Sequence, residues 1–256
     1  MTRRIDLNCD LGEHPARIAD GSDFALLRLV TSANIASGGH AGDEPTMREI
    51  VREAHALGVR IGAHPGYPDR ANFGRVELRL PMARLKSELA AQIARLVGIA
   101  REEGAVIAHV KPHGALYHAA MTDRDIARAL AEVAADVDPS LILIGLAGAP
   151  ALEVWRSMKC PVAAEAFADR RYEADGSLRA RTQPDALITD PDEAAAQALM
   201  IVRDGAALSR DGTHVRLAAD SMCIHSDTPG SLRIASSVRA RLESAGIAIR
   251  AMDALP

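Results

Sequence analysis

Residues 106–114 read Val106-Ile107-Ala108-His109-Val110-Lys111-Pro112-His113-Gly114, a short aliphatic run stopped by a lysine, a proline, a histidine and a glycine. Such a run has the composition and length of a buried strand, and the Pro and Gly behind it turn the chain sharply. The same pattern recurs on both sides. Ile5-Asp6-Leu7 runs into Asn8-Cys9-Asp10-Leu11-Gly12-Glu13, and Asn34-Ile35-Ala36 into Ser37-Gly38-Gly39-His40-Ala41-Gly42-Asp43. Ile61-Gly62-Ala63 runs into His64-Pro65-Gly66-Tyr67, and Ala164-Glu165-Ala166-Phe167 into Asp169-Arg170-Arg171. Leu217-Ala218-Ala219 leads to Asp220, then to His225 and Asp227.

Strands are predicted at 4–8, 32–36, 59–63, 106–110, 141–146, 162–166 and 215–219, with a last short one at 247–250. Helical periodicity lies between most of them. The clearest helix carries Leu85, Leu89, Ile93, Leu96 and Ala100 on one face, with Pro81 near its start and Gly104 just past its end. Others follow Asp43 (Met47 to Leu57), Thr189-Asp190-Pro191 and Thr228-Pro229. Strand–helix alternation without a linker, repeat or low-complexity tract predicts an α/β chain with a parallel sheet, and this number of units suits a barrel. The expected fold is therefore α/β, a single distorted (β/α) barrel spanning residues 1–256. The C-terminal ends of barrel strands open on one face, so six polar strand ends predict one shared site. The longest irregular stretch, Asp169 to Asp185, is expected as a mobile loop over it.

Composition sets the outer bounds. Hydrophobic residues at 48% and charged residues at 25% can build a full core over 256 residues and argue against disorder. A net charge of −4 gives no electrostatic reason to expect nucleic acid or an acidic membrane as partner. No run is long enough to span a bilayer, and the start turns polar at once, without the apolar core of a secretory signal. Cys9, Cys160 and Cys223 are scattered and include no Cys-x-x-Cys pair, which excludes a thiolate zinc site and a disulfide framework. The expected compartment is the cytoplasm.

Among the polar residues Lys111 stands out, because the chain has only two other lysines, Lys86 and Lys159, among 30 basic residues. An ammonium directly after an apolar strand suits a developing oxyanion or a phosphoryl oxygen. On that reading Lys111→Met should leave the fold intact and lower kcat. His40, His64 and His113 occupy strand-end turns, whereas His55 lies on a helical pattern and His109 inside a strand, where a structural role is expected. Asp10 suits a general base and Glu13 a second carboxylate, though either also suits a helix cap. Asp43 and Asp227 are likewise placed to cap the helices that follow. No phosphate loop, nucleophile elbow, metal helix or dinucleotide fingerprint is present.

These same residues carry a resemblance. Asp6-Leu7-Asn8-Cys9-Asp10-Leu11-Gly12-Glu13, His40-Ala41-Gly42-Asp43, Gly62-Ala63-His64-Pro65-Gly66-Tyr67-Pro68-Asp69, Val110-Lys111-Pro112-His113-Gly114-Ala115-Leu116-Tyr117, Phe167-Ala168-Asp169-Arg170-Arg171-Tyr172, and Ala219-Asp220 with Cys223 to Pro229 stand in one order along the chain. With them the chain resembles the LamB/YcsF family, the A component of the ATP-dependent bacterial 5-oxoprolinase. Departures fall at His14, at Ser37 and Gly39 (where a Cys and an aromatic residue are usual), at His118 (Asn) and at Ser226 (Gly).

The resemblance implies a barrel similar to that of polysaccharide deacetylases and glycoside hydrolases. It implies conversion of 5-oxoproline to glutamate with ATP as co-substrate, in a complex with two further subunits. Asp10, His40, His64, Lys111 and His113 are the catalytic candidates. Asn8, Glu13, Asp43, Glu165, Arg170, Asp220 and His225 are the substrate-binding candidates, Asn8 and Arg170 facing the substrate carboxylate. No metal ligand is assigned in this reading. A second reading is a metal-dependent deacetylase or amidohydrolase with His40, His64 and Asp10 around a divalent ion. A third is a non-catalytic subunit that only holds a small acid.

Overall fold

A computed structural model describes residues 3–252. Six parallel strands come first: β1 (Arg4–Leu11), β2 (Ser32–Ala36), β3 (Arg60–His64), β4 (Ile107–Val110), β5 (Ile142–Leu146) and β6 (Val162–Phe167). Two short strands, β7 (Ala206–Leu208) and β8 (His214–Arg216), form a separate antiparallel pair. The seventh barrel strand, β9 (Ser221–Cys223), pairs with β6 on one side and β1 on the other, which closes the parallel barrel. A final strand, β10 (Ala248–Ile249), adds to the first residues of β1.

Helices α1 (Pro15–Ala19), α2 (Ser22–Leu27), α3 (Glu44–Leu57), α4 (Met82–Glu102) and α5 (Gly114–Thr122) follow in chain order. They are joined by α6 (Arg124–Val137), α7 (Pro150–Ser157), α8 (Pro191–Asp204) and α9 (Ser231–Ser244). The expected stripe of α4, from Leu85 to Ala100, is buried. No helix among the described residues is long and apolar enough to cross a membrane.

Strand β1 shows how the barrel is built. Every residue from Ile5 to Leu11 is buried, so both of its faces are covered. Ile5, Leu7, Cys9 and Leu11 belong to the main apolar core. The alternate residues Asp6, Asn8 and Asp10 meet polar side chains of β2, β6 and β9 and Lys111 just after β4. Period-2 alternation thus sends one face toward the helices and the other toward the barrel axis. The interior is a hydrogen-bonded polar column inside an apolar shell.

Four expectations are corrected. The seventh barrel strand lies at 221–223 and not at 215–219, because Val215 pairs with Ala207 in the outer ribbon. Asp220 consequently precedes its strand and sits at the opposite end of the barrel, where its Oδ2 accepts from the Ala164 amide at 2.9 Å. Asp43 is the N-cap of α3, accepting from the Thr46 amide at 2.9 Å. Neither of these two substrate-binding candidates reaches the site. Asp227 is not a cap, since Gly230 occupies that position of α9.

At the base of the column Asp6 accepts from Thr31 Oγ1 at 2.7 Å, from Ser32 Oγ at 2.6 Å and from Ser221 Oγ. Burial pushes its carboxyl from 3.8 up to about 6, against the pull of those three donors. A carboxyl raised on folding contributes stability below its unfolded value and loses it as pH rises through the folded value, here between pH 4 and about 6. Asp6→Asn keeps the shape and never ionises. Between pH 5 and pH 8 its unfolding free energy should gain about 1.4 kcal/mol on wild type. Urea denaturation at the two pH values measures this, and a constant difference would show that Asp6 does not titrate there.

Candidate active site

Lys111 follows β4 and turns inward, where its side chain is 2% exposed. Its Nζ lies 3.0 Å from Asp10 Oδ1, 2.9 Å from Glu165 Oε1, 3.2 Å from Asn8 Oδ1 and 3.1 Å from Cys223 Sγ. Burial alone would push the ammonium down, but the carboxylates outweigh it and hold Lys111 well above the usual lysine range. Asp10 is correspondingly held well below the carboxylate range, against its own burial, by His64 and Lys111. Asn8 spends its whole amide on this layer. Its Nδ2 donates to Glu165 and Ser221, and its Oδ1 accepts from Asn34 and Lys111. His109 lies beside it, bonded through Nε2 to Asn34 Oδ1 at 2.8 Å, in the structural role expected. Gly62 makes room for that ring: a Cβ there would stand 2.0 Å from His109 Nε2.

Above this layer Glu13 is carried over the mouth by Gly12, whose φ of +75° is a left-handed turn. The Gly12 amide is held by Asp23 at 3.0 Å. Glu13 Oε1 lies 2.9 Å from His113 Nδ1, 3.0 Å from His40 Nε2 and 3.6 Å from His64 Nε2. Burial would raise Glu13, but the hydrogen bonds from His113 and His40 keep it well below the carboxylate range. The His64 loop is clamped by Gln92 of α4, which bonds both the amide and the carbonyl of Gly66. His40 stacks on His113 with ring centroids 3.5 Å apart.

The opposite wall comes from the segment after β6 and the turn after β9. Asp169 accepts from the amide and the Nδ1 of His225 and from Thr228 Oγ1. His225 stacks on Phe167, with its ring centroid 5.2 Å away. Since Asp169 takes the Nδ1 proton, the remaining nitrogen of the neutral ring, Nε2, is a free base. Arg170 is buried, its Nη2 donates to the Arg179 carbonyl, and its Nε has no hydrogen-bond partner. The Tyr117 hydroxyl is also buried, without a close hydrogen bond, and burial together with the neighbouring Glu165 carboxylate pushes the phenol well above its usual range. Asp227 ties Arg75 to Arg181 across the rim.

One cavity joins the two walls. Asp10, Glu13, His64, Lys111, His113, Arg170 and His225 all line it. Other candidates stand behind this lining. Asn8 supports Lys111 from beneath with its whole amide engaged, which corrects its assignment as a substrate ligand, while Glu165 supports Lys111 through Oε1 and its Oε2 has no hydrogen-bond partner. His40 lies behind Glu13 and burial pushes it down to about 3, so it stays neutral and is no acid–base group near neutral pH. Tyr117, Asp169, Arg75, Arg181 and Asp227 were missed as site residues. Asp169 and Tyr117 stand inside quoted motifs, whereas nothing local in the sequence marks the two arginines. The 169–185 stretch does reach the cavity, through Arg170, Leu178 and Arg181.

A sequence model of the LamB/YcsF family matches residues 5–256. The chain belongs to the LamB/YcsF family. It is 51% identical over 246 residues to a Chloroflexus aggregans protein named as the A component of 5-oxoprolinase, covering 96% of this chain and 98% of that one. The protein of the same name from Bordetella pertussis is 48% identical over 251 residues, covering 98% and 100%. A crystal structure of a lactam utilization protein from Thermus thermophilus superposes with a TM-score of 0.90 at 42% identity, covering 97% of this chain and 100% of that one.

The positions read from the sequence as departures lie around this site. Ser37 Oγ accepts from the His64 amide at 3.2 Å and so helps place that ring. Gly39 abuts Gln92, whose Oε1 would lie 2.3 Å from an added Cβ. His14 stacks on Phe73 at 4.8 Å beside the histidine cluster, and His118 lies at the cavity mouth. The structure gives no reason for Ser226.

The expectation that Lys111→Met leaves the fold intact is corrected by the ion pairs. Removing the ammonium strands Asp10 and Glu165 as buried charges, so the variant should lose roughly 3–5 kcal/mol of stability. Urea unfolding at neutral pH measures the loss. A variant within about 1 kcal/mol of wild type would mean that the pairs contribute no more than exposed ones do.

Proposed function

We propose that this chain opens the lactam ring of 5-oxoproline, as the A component of a cytoplasmic ATP-dependent 5-oxoprolinase. One observation carries the chemical part of the reading: an Asp169-oriented His225 and the Asp10–His64 pair line the same buried cavity. Amide hydrolysis needs one group to activate water and another to protonate the leaving nitrogen. His225, whose Nε2 is left bare by Asp169, suits the first role, and His64, raised by Asp10 against the downward push of burial, suits the second from the facing wall. Arg170, whose buried Nε is a donor that no protein atom takes, suits the substrate carboxylate, and the Tyr117 hydroxyl on the cavity wall suits the ring carbonyl. The names of the relatives supply the substrate.

ATP enters for a chemical reason. A five-membered lactam is a resonance-stabilised, unstrained amide that readily recloses, so phosphorylating its oxygen makes ring opening productive. In this reading two partner subunits supply the activated amide and this chain supplies water attack and proton transfer.

The purified chain alone should form no glutamate from 5-oxoproline, with or without ATP. Mixed with its two partner subunits it should form glutamate only when ATP is present. In that complex His225→Asn should lower kcat on the order of 10² to 10⁴-fold, the range for a general acid–base group. Arg170→Lys should act mainly on KM, because an ammonium cannot reproduce the planar fork. Full turnover by the isolated chain would sink the division of labour, and an unaltered kcat in His225→Asn would sink the role of that wall.

A further inference from the structure

The imidazoles around Glu13 are held in an arrangement that their own hydrogen bonding does not satisfy. His64 Nδ1 lies 2.7 Å from the Lys111 carbonyl, and His113 Nε2 lies 2.9 Å from the Phe73 carbonyl. A carbonyl oxygen only accepts, so both of these nitrogens carry the proton. In the neutral rings the opposite nitrogens, His64 Nε2 and His113 Nδ1, are therefore both bare. Yet they face each other at 3.1 Å, with Glu13 Oε1 at 3.6 and 2.9 Å from them. His40 Nε2 approaches the same oxygen to 3.0 Å. A proton on His113 Nδ1 can point at Glu13 or at His64. A cation between Glu13 and the two bare nitrogens meets all three, while His40, stacked on His113, bonds the same carboxylate from the side.

Two further features fit a cation. Pairing the outer nitrogens of His64 and His113 with backbone carbonyls is how metal-bound histidines are oriented. One of those carbonyls belongs to Phe73, whose φ of 55° is a costly conformation for a bulky residue. The spacing is also right. Bonds of 2.0–2.2 Å in a tetrahedral site place neighbouring donor atoms roughly 3.3 Å apart. The three pairs among Glu13, His64 and His113 span 2.9 to 3.6 Å.

We propose that Glu13, His64 and His113 bind one first-row divalent cation, with Zn²⁺ the best match to two imidazole nitrogens and a carboxylate oxygen beside an open position. His40, stacked parallel on His113, cannot aim a lone pair at the same ion and supports Glu13 instead. The three donor atoms lie within 4.8 Å of one another on buried side chains. This ligand set replaces the one read from sequence, since Asp10 is committed to Lys111 while Glu13 stands among the rings. Lys111 divides its charge between Asp10 and Glu165, which leaves Glu13 to the cation. Because Glu13, His64 and His113 line the cavity, the ion would sit at its wall.

The test uses the full-length chain, stripped with chelator and then titrated with Zn²⁺ or Co²⁺. One equivalent of Zn²⁺ should survive gel filtration, and Co²⁺ should give the strong visible absorption of a four-coordinate site. Glu13→Gln and His113→Ala should each weaken binding on the order of 100-fold or more. His55→Ala, on the exposed face of α3, should leave it unchanged. Zn²⁺ should raise the Tm of wild type and not that of Glu13→Gln. If both site variants fail to fold, zinc K-edge absorption of loaded wild type decides: two or more imidazoles support the site, and an all-oxygen shell overturns it. Failure of wild type to retain one equivalent, or equal binding by wild type and a folded Glu13→Gln, also overturns it. The proposal stands on ligand geometry and shares His64 with the lactam reading, since a cation on Nε2 would occupy the lone pair that proton transfer there would use. No lactam or ATP is present in these measurements, so its failure and the failure of the proposed activity are separable.

Discussion

The ammonium of Lys111 is the charge around which the barrel interior is arranged. It is buried, and a buried ammonium is tolerated only where opposite charge and hydrogen-bond acceptors replace its water. Here they come from Asn8 and Asp10 of β1, Glu165 of β6 and Cys223 of β9. One side chain at the end of β4 thus connects to three other barrel strands. The arrangement is mutual, since Asp10 and Glu165 are themselves buried and need the cation as much as it needs them.

That demand spreads through the layer. Asn8 bridges Lys111, Glu165, Ser221 and Asn34, and Asn34 in turn meets Asp10 and His109. A network of this kind works only when nearly every member is paired, because an unpaired polar group in low dielectric is expensive. It adds little net cohesion by itself. The cohesion lies between strands and helices, where Leu7, Leu11, Ile35, Leu89 and Ile93 belong to one apolar core. The column instead opposes slippage, because a one-residue shift would send Asp6, Asn8 and Asp10 into that core.

The cavity has one wall fixed by strands and others carried by turns. Asp10 and Lys111 are set by the barrel itself. Glu13, His64 and His113 depend on local devices: the left-handed Gly12, the Gln92 clamp on Gly66 and the Phe73 carbonyl. His225 depends on Asp169, which gathers a backbone amide, an imidazole and a hydroxyl from the turn after β9. Orientation by paired carboxylates and carbonyls limits the tautomers open to each ring, which is what proton transfer at a defined atom requires.

Much of this was legible in the chain itself. Short aliphatic runs ending in Lys-Pro-His-Gly, Gly-Gly-His or His-Pro-Gly marked the strands and the face on which the site lies, because strand composition and the turn chemistry of Gly and Pro act over a few residues. The same locality identified Asp10, Glu13, His64, Lys111, His113, Arg170 and His225 as residues of one mouth. What the chain could not reveal is which polar residue meets which. Asp220 and Asp10 read alike next to a strand, yet one precedes its strand and the other ends one, and only strand pairing places them at opposite ends of the barrel. Asn8 looked like a substrate ligand until the closed barrel brought Lys111, Glu165, Ser221 and Asn34 around its amide. Arg75 and Arg181 carry no local signal and reach the rim only because Asp227, 46 residues or more away, lies between them. Local sequence settles backbone conformation and facing, whereas charge pairing between distant strands exists only once closure has removed the water that would otherwise satisfy each group.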